Sequence, residues 1–273
     1  MSELTRAQAA TPDIPAAERQ PSVRADSAVL LSAVFAIGLA AFLAIEPSQD
    51  WLLLLLCALV ALGLDGVLRS HPHANRLSAN EAVLHLALPT VFTLVAGVFL
   101  EDNVGGYWAA PAGLAMGLPF AVIVNAQYHS LDREISRYHE ARLALNAAAY
   151  ITVFLLYNAV YDFDLNLFKA AIAVGLVSLL MAAEILREDT VNIGQTLIYA
   201  AGIGFLAAQT AWTLHYLPLE GSAAAVFLIL GFYAMTGVLH HYLKEDMTAT
   251  TTAEFLGIAA VGLLMVILSR AFL

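Results

Sequence analysis

The segment MAAEILREDTVNIGQ, residues Met181–Gln195, contains the pattern that decides the fold of this chain. An apolar run ends there, a short charged turn follows, and a second apolar run begins. The same change occurs in three other places, each with a leucine one or two residues before a basic residue: Leu64–Arg69, His129–Glu134 and His240–Asp246. Apolar runs joined by short charged turns are typical of helices that cross a membrane repeatedly.

The composition indicates the same class of protein. The chain has 273 residues, of which 60% are hydrophobic and 12% are charged, and its mean hydropathy is +0.77. Soluble domains carry roughly 45–50% apolar and about 25% charged residues. A helix needs about 20 mostly apolar residues to cross a bilayer, so the chain has room for little besides such helices. The net charge of −10 argues against a nucleic-acid partner, which would require a basic face.

Nine apolar stretches follow a polar tail, residues 1–26, which we predict to be disordered and cytoplasmic. We therefore predict an all-α, polytopic bundle of nine transmembrane helices that forms a single domain over residues 27–273. In the fourth stretch, Pro119 predicts a kink, and Gly113 with Gly117 predicts a close helix approach. The nine stretches are 27–45, 51–68, 82–100, 107–127, 141–161, 167–186, 194–214, 223–242 and 255–273.

The basic residues predict the orientation of the bundle. If the tail lies in the cytoplasm, ten of the twelve Lys and Arg residues fall on the inner side, and only Lys169 and Arg270 fall outside. This distribution follows the positive-inside rule. We predict that the protein lies in the cell inner (plasma) membrane. With nine crossings, its C-terminus would lie on the outer side of that membrane.

The charged turns also recur at similar intervals. The bases of the four turns, Arg69, Arg133, Arg187 and Lys244, lie 54 to 64 residues apart along the chain. One interpretation is a repeated helical hairpin, as occurs in transporters. The other is that the positive-inside rule alone places a base at each inner helix end.

Glu184 and Arg187 form the first candidate site. They are three residues apart and so share one helix face, and Asn192 and Gln195 follow closely. Under a functional interpretation, Arg187 meets a phosphate or carboxylate in a polar pocket and Glu184 orients it. Under a structural interpretation, Arg187 extends to the membrane surface and pairs only with its neighbour.

Similar polar pairs stand four residues apart at three other inner helix ends. The pairs are Asp65 with Arg69, His129 with Arg133, and His240 with Lys244. Such a recurrence predicts polar groups at one depth in several helices. The candidate ligand-binding residues are therefore Asp65, Arg133, Glu184, Arg187, Asn192, Gln195, His240, His241 and Lys244.

Imidazoles near the same ends allow acid–base or metal chemistry. Glu184, His129 and His240 are the candidate catalytic groups, and His85, His129 and His240 are the candidate metal ligands, because imidazole suits zinc, iron and copper. The chain contains no HExxH motif and no HxxxH or HxxHH box, so no cofactor is identified. Basic residues from Tyr128 to Arg142 predict a surface segment that contacts lipid headgroups.

Three functions fit these observations. The first is a non-catalytic membrane subunit or assembly factor with a polar, cytoplasm-facing site that binds another membrane protein or membrane lipids. The second is an enzyme at the membrane interface that acts on a lipid or isoprenoid. The third is a facilitator or channel for a small solute, although the span centres carry only neutral polar groups, whereas coupled carriers place acids near the midplane.

Overall fold

A computed structural model describes residues 23–45, 49–71, 79–131, 137–162, 166–187, 192–217, 221–245 and 247–271. This part of the chain is almost entirely helical and contains no strand. A short 3-10 helix, Gly106–Trp108, precedes α4. The α-helices are α1 (Val23–Ala44), α2 (Asp50–Arg69), α3 (Ala79–Asn103), α4 (Ala109–Ala115), α5 (Gly117–His129), α6 (Tyr138–Asp162), α7 (Leu167–Leu186), α8 (Ile193–Leu214), α9 (Gly221–Leu243) and α10 (Ala249–Ala271).

Eight segments in the described ranges are long and apolar enough to cross a membrane, and α4 and α5 together form one of them. The protein is thus a multi-pass membrane protein, and the prediction of an all-α bundle is confirmed. The ninth predicted stretch corresponds to α10, which begins at Ala249 rather than Phe255. Its apolar part is described over Thr252–Gly262, so a ninth crossing stays a prediction.

The first helix starts earlier than the sequence predicts. Residues 23–26 were assigned to the disordered tail but belong to α1, which begins at Val23. A helix pairs its own backbone N–H and C=O groups. A spanning helix can therefore continue through polar residues beyond its apolar part. The rest of the predicted tail, residues 1–22, lies outside the described residues.

The fourth span is divided into two helices at Met116. Pro119 has no backbone N–H to donate to the carbonyl of Ala115, and its ring would clash with that carbonyl in a continuous helix. Accordingly α4 ends at Ala115 and α5 begins at Gly117. The predicted kink is therefore present, one turn before the proline.

The two glycines of this span pack against α1, as predicted. A Cβ atom on Gly113 would lie 2.7 Å from the backbone nitrogen of Ala40, and one on Gly117 would lie 2.8 Å from the Cβ of Ala36. Such distances leave no room for a larger residue, so these glycines set how closely α1 approaches α4 and α5.

A second close approach, which the sequence analysis did not identify, joins α7 and α8. A Cβ atom on Gly204 would lie 2.6 Å from the carbonyl oxygen of Gly175, and one on Gly175 would lie 2.9 Å from the Cβ of Ala208. The backbones of α7 and α8 therefore touch, and among the described helices this pair has the most extensive contact.

Two groups of helices meet at the centre of the bundle. Helix α1 packs on α2, α4 and α5, while α9 packs on α6, α8 and α10. The groups join where α3 contacts α6 and α7, and where α5 contacts α6. One end of this junction carries the polar residues described next.

Candidate functional site

Four helices bring polar side chains together at one end of the bundle. These residues are called the polar cluster here. Helix α3 contributes a residue from its second turn and α6 one from its first turns. Helices α5 and α7 each contribute a residue near their end and the residue that directly follows it. Its members are His85, Gln127, Ser130, Arg142, Glu184 and Arg187.

Glu184 lies at the centre of the polar cluster. Its side chain is 0% exposed, and one carboxylate oxygen, Oε1, accepts two hydrogen bonds and forms an ion pair with Arg187. The donors are Nε2 of Gln127 at 3.3 Å and Nη1 of Arg142 at 3.4 Å, and the ion pair places Nη2 of Arg187 at 2.9 Å. A buried carboxylate must be paired and hydrogen-bonded. These contacts satisfy Oε1, whereas the other oxygen, Oε2, is buried and has no hydrogen-bond partner among the described residues.

Arg142 joins the start of α6 to the end of α7. Besides its ion pair with Glu184, its Nη2 donates to the backbone carbonyls of Glu184 at 3.0 Å and Ile185 at 3.2 Å. These carbonyls belong to the last turn of α7, where the helix dipole is negative and a cation is favoured. Arg142 is buried. Its guanidinium holds both the carboxylate and the backbone carbonyl of Glu184 in place.

Gln127 connects Glu184 to His85. Its Nε2 donates to Glu184, so its Oε1 is the acceptor for Nη2 of Arg187 at 3.2 Å and for Nδ1 of His85 at 2.9 Å. With this amide orientation, His85 must carry a proton on Nδ1 to complete the hydrogen bond. The network thus fixes both the amide and the imidazole.

The predicted pair of Glu184 and Arg187 is present, but Arg187 does not extend toward the membrane surface. Its Nη2 contacts Gln127 and also donates to the hydroxyl of Ser130 at 3.3 Å. The side chain is 14% exposed, so Arg187 lies at the rim of the polar cluster with its guanidinium turned inward.

The other predicted polar pairs lie outside the polar cluster. Nε of Arg69 donates to Asp65 at 2.6 Å, and the Arg69 side chain is 77% exposed. Nζ of Lys244 contacts Nε2 of His240 at 2.9 Å, also on the surface. Arg133, the partner proposed for His129, lies outside the described residues.

The remaining ligand-binding candidates have local contacts. Asn192 is exposed and caps α8 by accepting a hydrogen bond from the backbone of Gly194 at 2.9 Å. Gln195 is exposed on the first turn of the same helix. The ring of His241 packs against Phe255 of α10.

The candidate metal ligands have separate surroundings. His85 is bound to Gln127, His129 packs edge-on against Tyr128, and His240 contacts Lys244. Across the described ranges, no three His, Cys, Asp or Glu side chains lie close enough to hold one metal ion.

The sequence analysis missed Gln127 and Ser130 and placed Arg142 wrongly. Arg142 was expected on a surface segment that contacts lipid headgroups, but it is buried against α7. A signal was available, because Arg142 falls inside the predicted fifth span and an arginine within a span is costly unless paired. Gln127 is a neutral residue at a span end and gave no comparable signal.

Comparison with known proteins identifies a family for this chain but no individual relative. Neither the curated proteins nor the solved structures contain a match to this chain. One family model matches residues 30–269, which is most of the chain and includes every member of the polar cluster. The chain therefore belongs to the family described as "Protein of unknown function (DUF5656)".

Proposed function

We propose that this protein is a non-catalytic membrane subunit that binds a ligand or partner at the polar cluster. The observation that carries the proposal is the environment of Glu184, which is fully buried, forms ion pairs with Arg142 and Arg187, and accepts a hydrogen bond from Gln127 of the protein itself. An acid–base catalyst needs an atom within hydrogen-bond reach of its substrate. The Glu184 side chain is 0% exposed, so a substrate does not reach it in this structure, and a positioning role suits it better.

The two alternatives have less support. The enzyme hypothesis needs Glu184, His129 and His240 to act together, whereas Glu184 contacts Gln127, His129 packs on Tyr128, and His240 contacts Lys244. The facilitator hypothesis needs a path between the helices. Phe35 and Phe120 stack with ring centroids 4.0 Å apart between α1 and α5, and the large ring of Tyr157 is fully buried in α6.

We also propose the orientation in the inner (plasma) membrane that the basic residues predict, with the polar cluster facing the cytoplasm and nine crossings in total. A reporter enzyme that is active only outside the membrane, fused after Leu273, is expected to be active. A reporter fused before Met1 is expected to be inactive. Activity of the N-terminal fusion would contradict the orientation, and an inactive C-terminal fusion would contradict the ninth crossing.

Repeated helical hairpins are a related proposal. Helices α2 and α9 both end in a polar residue bound to a base four positions later, Asp65 with Arg69 and His240 with Lys244. An experimental structure in which the α2–α3 and α9–α10 hairpins fail to superpose would contradict duplication.

The proposed function is tested by the lipids of cells that overexpress the protein. We expect the wild type and Glu184→Gln to leave the total lipid profile, measured by mass spectrometry, the same as an empty vector does. Mild detergent extraction of the wild type is expected to recover a stoichiometric membrane partner or a bound lipid. A new lipid species that the wild type makes, and that an equally expressed Glu184→Gln does not, would establish catalysis and overturn the proposal.

A further inference from the structure

We infer that a groove between α7 and α8 binds one acyl chain of a phospholipid, and that Lys169 contacts the phosphate of the same lipid. The groove lies on the exposed surface of this helix pair, in the half of α7 that is remote from the polar cluster. The inference is independent of the proposed function, which concerns the other end of the helix. Three features carry it: the shape of the groove, its length, and the position of Lys169.

The groove is narrow because its floor is made of small residues and its walls of large ones. On the floor, Gly175 and Gly204 bring the two backbones into contact, and Ala208 adds only a methyl group. The volume is about 420 Å³, and all of the described lining residues are apolar. A helix about 10 Å wide would be held off the floor by the walls, whereas a thin, flexible acyl chain fits between them. The wall residues are large and exposed: Ile172, Leu176, Phe205 and Trp212.

The length of the groove matches one leaflet of a bilayer. It runs from Phe168 to Leu179 on α7, and from Trp212 back to Ala201 on α8. Both intervals advance by 11 residues, which is about 16 Å at 1.5 Å per residue. The hydrocarbon core is about 30 Å thick, so one leaflet is about 15 Å. A spanning helix of a partner would follow the α7–α8 pair through the whole core, whereas an acyl chain ends at its centre.

Lys169 lies at the mouth of the groove. It follows Phe168 directly and stands on the same edge of α7 as Ile172 and Leu176, which are three and seven residues later. Leu167 begins both α7 and its apolar span, so Lys169 lies at the membrane surface, where its long side chain reaches the headgroups. The side chain is exposed, and no side chain that the structure describes forms an ion pair with it. A phosphate attached to an acyl chain in the groove therefore meets a cation.

The experiment measures lipid binding by the full chain, purified in a neutral detergent. Phosphatidylglycerol is titrated, and the fraction of protein with one bound lipid is measured by native mass spectrometry. Ala201→Phe places a ring at the deep end of the groove, and we expect about tenfold weaker binding, because the ring displaces the last methylene groups of the chain. Lys169→Gln is expected to weaken binding about fivefold, the contribution of one basic residue at a membrane surface. Both positions are exposed, so the fold is expected to persist.

Each substitution has a matched control. Ala147→Phe places the same ring at an exposed position of α6 outside the groove, and Arg69→Gln removes the same charge from an exposed position at the end of α2. Both controls are expected to bind phosphatidylglycerol as the wild type does. Equal affinities of Ala201→Phe and Ala147→Phe would overturn the groove as the binding site. Equal affinities of Lys169→Gln and Arg69→Gln would overturn Lys169 as the phosphate contact.

A photoreactive lipid tests the location of the chain directly. Phosphatidylglycerol with a diazirine at the end of one acyl chain is expected to cross-link to α7 and α8 near Leu179 and Ala201, and cross-links confined to other helices would overturn the inference. Disulfide-linked dimers of Ala201→Cys in native membranes would show that a second copy occupies the groove and would also overturn it, since the native Cys57 is buried. Each of these results leaves the proposed function intact, because none of them involves the polar cluster.

Discussion

Replacement of Arg142 by methionine is expected to lower the free energy of unfolding by about 3 kcal/mol or more. The variant loses the ion pair with Glu184 and two hydrogen bonds from a charged donor to the carbonyls of Glu184 and Ile185. Each bond of this kind contributes about 1.5–3 kcal/mol. Methionine fills a similar volume, so the effect measures the lost polar contacts rather than a cavity. Unfolding by SDS in mixed micelles, followed by circular dichroism, provides the measurement.

The control for this prediction is Arg69→Met. Arg69 pairs with Asp65, but its side chain is exposed, and exposed ion pairs contribute little to stability. We expect no measurable change in the SDS midpoint. If Arg142→Met unfolds at the same SDS fraction as Arg69→Met, the polar cluster does not hold α6 and α7 together in the way described.

Gly204→Ala is expected to destabilise the protein by about 1–3 kcal/mol, although alanine is the better helix former. The added Cβ would lie 2.6 Å from the carbonyl oxygen of Gly175 and 2.8 Å from the Cβ of Leu179. Neither atom is the end of a flexible side chain, so α7 and α8 must move apart. The same SDS titration measures the effect.

Gly202→Ala is the matched control, two residues earlier on α8. A Cβ atom there has no neighbour within 4 Å, and the position is exposed. We expect an unchanged stability or a gain of up to about 1 kcal/mol from helix propensity. A loss at Gly202 equal to that at Gly204 would assign the effect to α8 itself rather than to its contact with α7.

The spans of this protein could be predicted from sequence because their signal is local. A helix in a bilayer must be apolar over about 20 residues whatever its neighbours are. The start of α1 at Val23 and of α10 at Ala249 was missed because polar residues at a membrane surface are compatible with either helix or loop. The break at Met116 could be anticipated because Pro119 acts on its own helix.

The polar cluster was only partly predictable for the opposite reason. Glu184 and Arg187 share one helix, so their spacing alone brings them together. Gln127 and Arg142 reach Glu184 across 57 and 42 residues, and those contacts depend on which helices are neighbours. Hydropathy does not contain that information. The contact between Gly175 and Gly204 was missed likewise, because their partners are on another helix.

The ion pair between α6 and α7 has a consequence for biosynthesis. Arg142 and Glu184 are 42 residues apart, and a ribosome adds roughly 5–20 residues per second. The arginine therefore emerges roughly 2–8 s before the carboxylate that neutralises it. During that interval α6 carries a charge that lipid accepts poorly. The buried contact of Arg142 with α7 is therefore expected to form only after α7 has been translated.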